Sequence, residues 1–324
     1  MIITRTPYRI SMFGEETDLP SWYLANSGAV VSFAINKYSY VTLRELPPFF
    51  HNRFRLSYSK IELADSTADI EHPAIREGFK EYANDLALEL HHLGELPAKS
   101  GIGSSSAFTV GMIHALKAIG GISLTVRELA EKAIAFERDN LEETVGSQDQ
   151  ITSSFGGINL LKFGVGNEWA VTPIRLSPEY RKDFESRIVL LFSGIKRISP
   201  VFSSLQTGSR GNLSSIMSRN EELALEFHAL LSQEGTLDTV GEMMRESWRI
   251  KKSLHPSTIT ASVDEFIQRG LENGAEAGKA LGNGGGGFFL FWVNPNTRGE
   301  FINRMSSSLH VPIQISMEGS TRIL

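Results

Sequence analysis

The chain has 324 residues, a length that suits two packed domains better than a single core. Hydrophobic residues make up 41% and charged residues 21%, and the formal net charge of -5 provides no basic field that would attract nucleic acid. The lack of cysteine excludes a disulfide framework, a cysteine-bound zinc site and a thiol nucleophile.

The first part of the chain is dominated by strand-like segments rich in Val, Ile, Tyr and Thr. The polar pair Asn36 and Lys37 predicts a tight turn between two of these strands. Pro73 fits the first turn of a helix, where a proline is tolerated. We therefore predict one helix, at residues 73–83, and strands at residues 2–12, 29–35, 38–43, 54–59 and 86–93.

A serine-rich loop follows and leads into a predicted pair of helices. The apolar residues 107–119 predict the first helix. Thr125 and Glu128 form a capping-box pattern, and helical spacing of apolar residues then continues to Phe136, which predicts the second helix. Residues 146–157 are rich in glycine and serine, so we predict a loop there, followed by a strand at residues 158–163.

The polar stretch at residues 164–185 contains two prolines, and we place the domain boundary within it. The predicted domains are residues 1–182 and 183–324. The second is predicted to contain helices at residues 221–231, 240–254 and 263–272, and strands at 187–192, 288–293 and 313–318, the last of which closes its sheet. Strands and helices do not alternate regularly, which predicts an α+β fold rather than a doubly wound parallel sheet.

The strongest local motif is PAKSGIGSSSA at residues 97–107, between a predicted strand and a predicted helix. Its glycines allow a close approach of the backbone to a ligand, and the helix start presents unpaired N–H groups and a positive dipole end. These properties favour a phosphate site with serine hydroxyls near a Mg²⁺ ion. A serine-capped helix after a flexible loop explains the same residues equally well. A Walker A loop is excluded, because no GK[ST] follows the glycines.

The second motif is the glycine run at residues 282–287, with five glycines in six positions before a predicted apolar strand. Such a run carries a large entropy cost on folding, and a turn needs only one or two glycines. It therefore indicates close contact with a ligand or another loop, although a linker is the alternative.

Two acidic residues could support phosphoryl transfer, which needs a metal ligand and a group that orients the attacking hydroxyl. Glu137 lies on the second predicted helix and Asp149 in the loop after it, but both are also explained as solvated surface charges. Arg9 on the first strand precedes a turn rich in carboxylates at residues 15–18, which would suit sugar hydroxyls or an exposed hairpin.

The order of these motifs resembles the GHMP kinases, the superfamily of galactokinase, homoserine kinase, mevalonate kinase and phosphomevalonate kinase. The resemblance extends from Arg5 to Phe291, and the serine-rich loop is its most specific part. It rests on R-x-P-x-R at residues 5–9, the loop at 97–107, Glu137 before G-x-x-D at 146–149, and the glycine run. The resemblance implies a ribosomal S5 domain 2-like N-terminal domain, a ferredoxin-like C-terminal domain, and the use of ATP and Mg²⁺.

Within this superfamily, several segments look like the D-glycero-D-manno-heptose 7-phosphate kinases: TDLP at 17–20, GAVVS at 28–32, GSQDQ at 146–150, GIKRIS at 194–199 and the glycine run. Those enzymes phosphorylate the anomeric hydroxyl and give the 1,7-bisphosphate for nucleotide-activated heptose. One alternative is a 1-kinase of an unphosphorylated sugar such as galactose, fucose or an N-acetylhexosamine. Another is a catalytically inactive homologue that binds sugar or nucleotide.

The resemblance also implies roles for individual residues. Asp149 would be the catalytic base or orienting group, with Arg9 beside it to stabilise the transferred phosphoryl group. Ser105 and Glu137 would hold Mg²⁺. The ATP phosphates would lie over a loop made of Lys99, Ser100, Gly101, Ile102, Gly103, Ser104, Ser105 and Ser106.

The remaining predicted residues concern the sugar. Lys196 or Arg197 would meet a substrate phosphate, because a cation is its natural partner, although both could equally be solvated surface charges. The other predicted substrate-binding residues are Glu15, Thr17, Asp18, Gly146, Gln148, Gly285 and Gly286.

The sequence departs from the heptose kinase pattern at Glu15 and Glu16, where a glycine run is usual. Two added carboxylates could repel a phosphorylated sugar or bind extra hydroxyls of a free one. Lys99 with Ser100, and Asn283, are further departures that concern loop detail. The predicted partners are ATP and a small sugar or sugar phosphate, without nucleic acid or membrane. We expect a cytoplasmic location and leave a homodimer open.

Overall fold

The computed structural model describes residues 1–195 and 210–324, which form helices and strands of an α+β fold. The helices are α1 (Pro20–Tyr23), α2 (Pro73–Tyr82), α3 (Ser104–Ile119), α4 (Val126–Ala135), α5 (Gln148–Phe155), α6 (Pro178–Ser186), α7 (Arg210–Ser232), α8 (Val240–Leu254), α9 (Ala261–Glu272) and α10 (Arg298–Arg304). The strands are β1 (Ile2–Phe13), β2 (Gly28–Glu45), β3 (Phe54–Ser57), β4 (Ile61–Ala64), β5 (Leu88–Gly94), β6 (Ile158–Phe163), β7 (Trp169–Pro173), β8 (Ile188–Phe192), β9 (Ala275–Ala280), β10 (Phe288–Val293), β11 (Leu309–Val311) and β12 (Thr321–Arg322).

The first sheet is organised around the long strand β2. Its first half pairs with β6 and its second half with β5, while β1 runs antiparallel along its other edge. Strand β3 pairs with β5 in parallel and with β4 in antiparallel fashion, and β12 returns from the end of the chain to pair with β1. Helix α3 packs on β1 and β2, which holds its N-terminal end at a fixed place relative to β1.

The second sheet has the strand order β11-β8-β10-β9 and is antiparallel in each pair. Its central strand β10 is buried at every position, which agrees with the apolar sequence FFLFWV. The change from the first sheet to the second falls between β7 and β8, and the boundary at 182/183 stays a prediction.

Four hydrophobic clusters hold these layers together, and two of them position the site. One lies between the first sheet and helices α2, α3 and α4, and includes Phe54, Phe79 and Phe136. The other joins the two sheets, since Tyr8 of β1 and Trp292 of β10 belong to the same buried cluster. The end of β1, with Ile10, Met12 and Phe13, belongs to this second cluster and is therefore held by apolar packing.

Several predicted elements need correction. The turn at Asn36 and Lys37 is wrong, because β2 continues through both residues. They lie where the strand changes partner from β6 to β5, and the Asn36 side chain accepts a hydrogen bond from the Gln314 N–H at 2.8 Å. The loop at residues 146–157 is also wrong, because α5 occupies most of it and its small polar side chains are buried.

The closing strand at residues 313–318 is wrong as well. The second sheet is closed instead by β11, and Ile315 makes a single bridge to Ile35 in the first sheet. The polar stretch at 164–185 contains β7 and α6, which the boundary prediction overlooked. The predicted elements at 158–163, 240–254 and 288–293 have the predicted bounds, as β6, α8 and β10, and the remaining predicted helices and strands are present with shifted ends.

Candidate active site

The serine-rich loop ends at the start of α3 in a conformation that suits an anion. Gly103 adopts left-handed backbone angles (φ 68°), and Ser104 begins the helix. The Ser104 hydroxyl accepts a hydrogen bond from the Lys99 N–H at 3.1 Å, and the Ser100 hydroxyl donates to the Pro97 carbonyl at 2.5 Å. The helix is 16 residues long, so its first turn presents unpaired N–H groups at the positive end of a sizeable dipole.

The glycine run lies directly against this loop. The Phe288 N–H donates to the Ser100 carbonyl at 3.1 Å. A Cβ atom on Gly287, whose φ is +86°, would stand 2.6 Å from the same carbonyl, and one on Gly101 would stand 2.5 Å from the Leu281 carbonyl. The run is therefore a contact surface for the serine-rich loop and not a linker.

Arg9 and Asp149 form a partly buried ion pair beside the loop. The Arg9 Nε and Nη2 atoms donate to the two carboxylate oxygens at 2.6 and 2.8 Å, and Nη1 donates to the Gly101 carbonyl at 2.8 Å. Burial opposes the charge of Arg9, but the neighbouring carboxylates, Asp149 first, raise its pKa. Asp149 lies in the first turn of α5, and its side chain keeps 23% exposure. It can therefore meet a ligand while Arg9 holds its orientation.

Asp18 lies next to this pair, buried among backbone groups. It accepts a hydrogen bond from the Gln148 N–H at 3.0 Å, and the Gln148 side chain lies 3.3 Å from its other oxygen. A Cβ atom on Gly146 would stand 1.9 Å from Asp18 Oδ2, so the contact requires glycine there. Burial, together with Asp149 and Glu16, raises the pKa of Asp18 to about 7 against the hydrogen bond from Gln148.

Glu137 is buried at the π-helical turn that follows α4. Its Oε2 accepts hydrogen bonds from the Ser106 hydroxyl at 3.0 Å and from the Gln150 side chain. Its Oε1 has no partner among the residues that the structure describes. Burial raises the pKa of Glu137 to about 7. Ser105, the other predicted metal ligand, is exposed at the first turn of α3.

A carboxylate oxygen without a partner and a neighbouring hydroxyl are hard oxygen donors, and these residues fit Mg²⁺. The hydroxyl that touches Glu137 belongs to Ser106, one residue beyond the predicted ligand. No cluster of three or more His, Asp or Glu side chains with metal-binding spacing occurs within residues 1–195 and 210–324. A metal here would therefore be held by few protein ligands and by phosphate oxygens, which is usual for Mg²⁺ in kinases.

Glu15, predicted to bind the sugar, faces two buried lysines instead. Lys279 on β9 lies 2.8 and 2.9 Å from its two carboxylate oxygens, and Lys251 on α8 lies 3.5 Å away. Burial opposes the charge of Glu15, but the lysines, Lys251 first, lower its pKa. Burial lowers the pKa of Lys279 to about 8. The sequence prediction missed both lysines, although a lysine inside the buried segment AEAGKA was a usable signal.

The neighbouring residues of the same turn are held by protein groups. Glu16 adopts a φ of +75° and lies 3.0 Å from His255 Nε2, just past the end of α8. The Thr17 hydroxyl donates to the Gly14 carbonyl at 2.7 Å and accepts from the Ala29 N–H at 3.1 Å. Thr17 therefore shapes the turn, and its hydroxyl is already engaged.

Of the other predicted residues, Gly285 and Gly286 are buried within the glycine run, and Gly286 lies against Ile195. Lys196 and Arg197 lie outside the described residues. The structure brings together four predicted residues beside the serine-rich loop: Arg9, Asp18, Gln148 and Asp149. Glu137 is held separately, by a hydrogen bond from the Ser106 hydroxyl. None of the described helices combines the length and apolar character that crossing a bilayer requires.

Known proteins match this chain over nearly its whole length. The model of the GHMP kinases N terminal domain matches residues 72–157, and that of GHMP kinases C terminal matches residues 221–311. D-glycero-alpha-D-manno-heptose 7-phosphate kinase of Campylobacter jejuni is 27% identical, over 94% of this chain and 93% of that protein. A bifunctional fucokinase/GDP-fucose pyrophosphorylase of Arabidopsis thaliana is 26% identical, over 88% of this chain and 29% of that protein.

Among solved structures, a D-glycero-D-manno-heptose 1-phosphate kinase from Bacteroides thetaiotaomicron superposes with a TM-score of 0.83 at 21% identity, covering 100% of this chain and 99% of that one. A galactokinase from Lactococcus lactis in complex with galactose has a TM-score of 0.75 at 17% identity, covering 99% and 94%. These likenesses show that the chain has the two-domain fold of these kinases, in agreement with the sequence prediction.

Proposed function

We propose a specific reaction for this chain, which belongs to the GHMP kinases and is an ATP-dependent sugar kinase. In this proposal it phosphorylates the anomeric hydroxyl of D-glycero-D-manno-heptose 7-phosphate. The product would be the 1,7-bisphosphate, the form used for nucleotide-activated heptose synthesis. The observation that carries the proposal is the Arg9–Asp149 pair, which is bonded directly to the serine-rich loop through the Gly101 carbonyl. This contact supports the proposal, because it holds the carboxylate that would accept the proton next to the loop that would bind the phosphates.

In the proposed reaction, the sugar oxygen bonds to the γ-phosphorus of ATP and ADP leaves. Asp149 would accept the proton of the attacking hydroxyl or orient that hydroxyl, and Arg9 would keep the carboxylate in place and face the transferred charge. Backbone N–H groups at the start of α3 would hold the phosphates. Ser105 and Glu137 would hold Mg²⁺, which neutralises phosphate charge when bound.

Asp18 and Gln148 would contact the sugar. Their side chains contact each other next to Asp149. If Asp149 holds one sugar hydroxyl, Asp18 and Gln148 would therefore face the hydroxyls beside it. Asp18, with a pKa raised to about 7, could donate or accept a hydrogen bond near neutral pH. The identity of the sugar is supported by the Campylobacter jejuni relative, which matches along almost its entire length.

A second candidate is a 1-kinase of an unphosphorylated sugar. The Arabidopsis fucokinase relative favours it. A catalytically inactive homologue is disfavoured, because Arg9 and Asp149 are assembled with ideal two-bond geometry beside the loop.

The test is ATP consumption with Mg²⁺ against heptose 7-phosphate, free heptose, galactose, fucose and hexose 6-phosphates, with Asp149→Asn protein as the blank. Turnover with heptose 7-phosphate at a kcat/KM at least about 100-fold above every free sugar supports the proposal. Preference for a free hexose would replace it with the second candidate. Measurable ATP binding without turnover of any sugar would favour the inactive homologue.

A further inference from the structure

Two lysines share one carboxylate at the turn after β1, and they do so unequally. Lys279 contacts both oxygens of Glu15 at 2.8 and 2.9 Å and donates to the Met12 carbonyl at 2.9 Å, so its three N–H donors have close acceptors. Lys251 has only long contacts, 3.5 Å to Glu15 and 3.4 Å to the Ala280 carbonyl, among the residues that the structure describes. Glu15 and Lys279 thus form the close pair, and Lys251 is the additional charge.

This additional charge is removed from water. The side chains of Lys251, Glu15 and Lys279 are 3%, 8% and 1% exposed, and together they carry a formal charge of +1. Among the described residues Lys251 must share its counter-ion, Glu15 at 3.5 Å, with the closer Lys279, so one positive charge stays uncompensated. A buried excess charge disfavours folding, so stability does not explain why it is present. An anionic ligand would supply the missing partner.

The position of Lys251 points to the substrate side of the site. Its Cε atom lies 3.8 Å from where a Cβ atom of Gly284 would stand, so it touches the glycine run that also contacts the serine-rich loop. Glu15, which Lys251 faces, is close enough to Arg9 for that guanidinium to lower its pKa. Lys251 and Arg9 therefore both interact electrostatically with Glu15, which links Lys251 to the Arg9–Asp149 pair.

We propose that Lys251 binds the second phosphate of the substrate, the one that is not transferred, and that the Glu15–Lys279 pair holds this lysine in place. The proposal rests on the proposed function and deepens it, because it assigns the residue that recognises the phosphorylated end of the sugar. The carboxylates at 15 and 16 then do not exclude a sugar phosphate. Lys279 pairs with Glu15, and His255 Nε2 lies 3.0 Å from Glu16, so protein groups already occupy the surroundings of both carboxylates.

The first test compares Lys251→Met with Lys252→Met, the neighbouring lysine, which is 41% exposed and pairs with Asp264 on α9. Initial rates are measured with heptose 7-phosphate and with the same heptose lacking the phosphate. We expect Lys251→Met to raise the KM for heptose 7-phosphate about 10- to 100-fold, the range for losing a hydrogen bond to a charged group. Its kcat/KM for free heptose should change less than about threefold, and Lys252→Met should resemble the wild type with both sugars.

The same variants are heated to measure their unfolding midpoints. Lys251→Met removes an unbalanced buried charge and leaves the Glu15–Lys279 pair, so its midpoint should equal or exceed that of the wild type. A purely structural lysine would lower the midpoint and impair both sugars alike. That result, or an unchanged KM for heptose 7-phosphate, would overturn the proposal.

The second test does not depend on the identity of the sugar. Inorganic phosphate is titrated calorimetrically into protein saturated with Mg²⁺ and a non-hydrolysable ATP analogue, which occupies the nucleotide phosphate site. Binding that is present in the wild type and in Lys252→Met but lost in Lys251→Met supports the inference even if heptose 7-phosphate is not turned over. Turnover of heptose 7-phosphate with no effect of Lys251→Met in either test would retain the proposed function and refute the inference.

Discussion

The guanidinium group of Arg9 contacts both carboxylate oxygens of Asp149, at 2.6 and 2.8 Å, and joins residues that are 140 positions apart in the chain. Arg9 comes from β1 and Asp149 from the first turn of α5. The third contact of Arg9, to the Gly101 carbonyl, adds the serine-rich loop to the pair. Three separate segments therefore meet at one side chain, which is 7% exposed.

Asp149→Asn should abolish most of the turnover while leaving the nucleotide site intact. The asparagine oxygen can still accept a hydrogen bond from Arg9, but the amide cannot accept the proton of the sugar hydroxyl. We expect kcat to fall about 100- to 10,000-fold, as for loss of a general base. The dissociation constant of ATP, measured by calorimetry, should change less than about threefold.

Asp139→Asn serves as the control, because Asp139 is an exposed carboxylate on the turn that carries Glu137. Its kcat should match the wild type. Undiminished turnover of Asp149→Asn would refute the role of base or orienting group. A large loss of ATP binding in that variant would mean that Asp149 acts on the nucleotide and not on the sugar.

Ser105→Ala and Ser106→Ala should separate metal binding from stability. Ser105 is exposed at the helix start, so its loss should raise the Mg²⁺ concentration for half-maximal activity about tenfold and leave the unfolding midpoint unchanged. Ser106 donates to the buried Glu137, so Ser106→Ala should lower the free energy of unfolding by about 1–3 kcal/mol. Mg²⁺ titrations at saturating ATP and urea unfolding measure the two effects.

The opposite result would change which serine is assigned as the Mg²⁺ ligand. If Ser106→Ala raises the Mg²⁺ requirement and Ser105→Ala does not, the ligand is the hydroxyl that already touches Glu137. The metal assignment drawn from the family resemblance would then shift by one residue.

The parts of the site that are contiguous in sequence could be predicted. The serine-rich loop and the glycine run can be recognised in the sequence because each has several glycines next to a predicted helix or strand. Locating them required no knowledge of the fold. Asp149 and the carboxylate-rich turn that contains Asp18 were candidates from the sequence, but only the resemblance to a family gave these two residues roles, since their carboxylates look like many others in the chain. Their approach depends on Gly146, whose missing side chain makes room for Asp18.

The contacts between distant segments could not be predicted. Glu15 was expected to bind sugar, but its lysine partners come from α8 and β9, more than 230 residues further along the chain. The helical state of α5 was missed for a related reason. Its glycine- and serine-rich sequence favours a loop locally, and burial of Gln150, Thr152 and Ser153 against the sheet overrides that preference.

Asp18→Asn should stabilise the protein increasingly as the pH rises. Burial raises the pKa of Asp18 from 3.8 to about 7, so the folded protein keeps its proton at pH values where the unfolded chain has lost it. This group therefore makes folding stability fall between about pH 4 and pH 7, and the loss stays constant above pH 7. Asparagine does not ionise, so the variant escapes this loss.

The difference in unfolding midpoint between Asp18→Asn and wild type should be small at pH 4 and should grow up to about pH 7. Asp85→Asn, at an exposed position, should give a constant difference across the same range. A constant difference for Asp18→Asn would show that Asp18 is already ionised in the folded protein at low pH. Its interaction with the sugar would then be that of an acceptor alone.

Lys279→Met should be strongly destabilising, in contrast to Lys251→Met. It removes the close partner of Glu15 and leaves that buried carboxylate with Lys251 at 3.5 Å. Breaking a buried ion pair by removing one partner typically costs about 3–5 kcal/mol, and we expect a loss of this size in urea unfolding. Lys252→Met, at an exposed position, should change the stability by less than about 0.5 kcal/mol.

The triple variant Glu15→Gln/Lys251→Met/Lys279→Met distinguishes a lost ion pair from lost packing. It removes the carboxylate together with both lysine charges, so no buried ion remains at the turn and the variant should regain most of the stability that Lys279→Met loses. No recovery would mean that the lysine stem and its bond to the Met12 carbonyl, at 2.9 Å, provide the stability instead. In that case the end of β1 would be anchored by its backbone, and the charge of Glu15 would be available to the substrate.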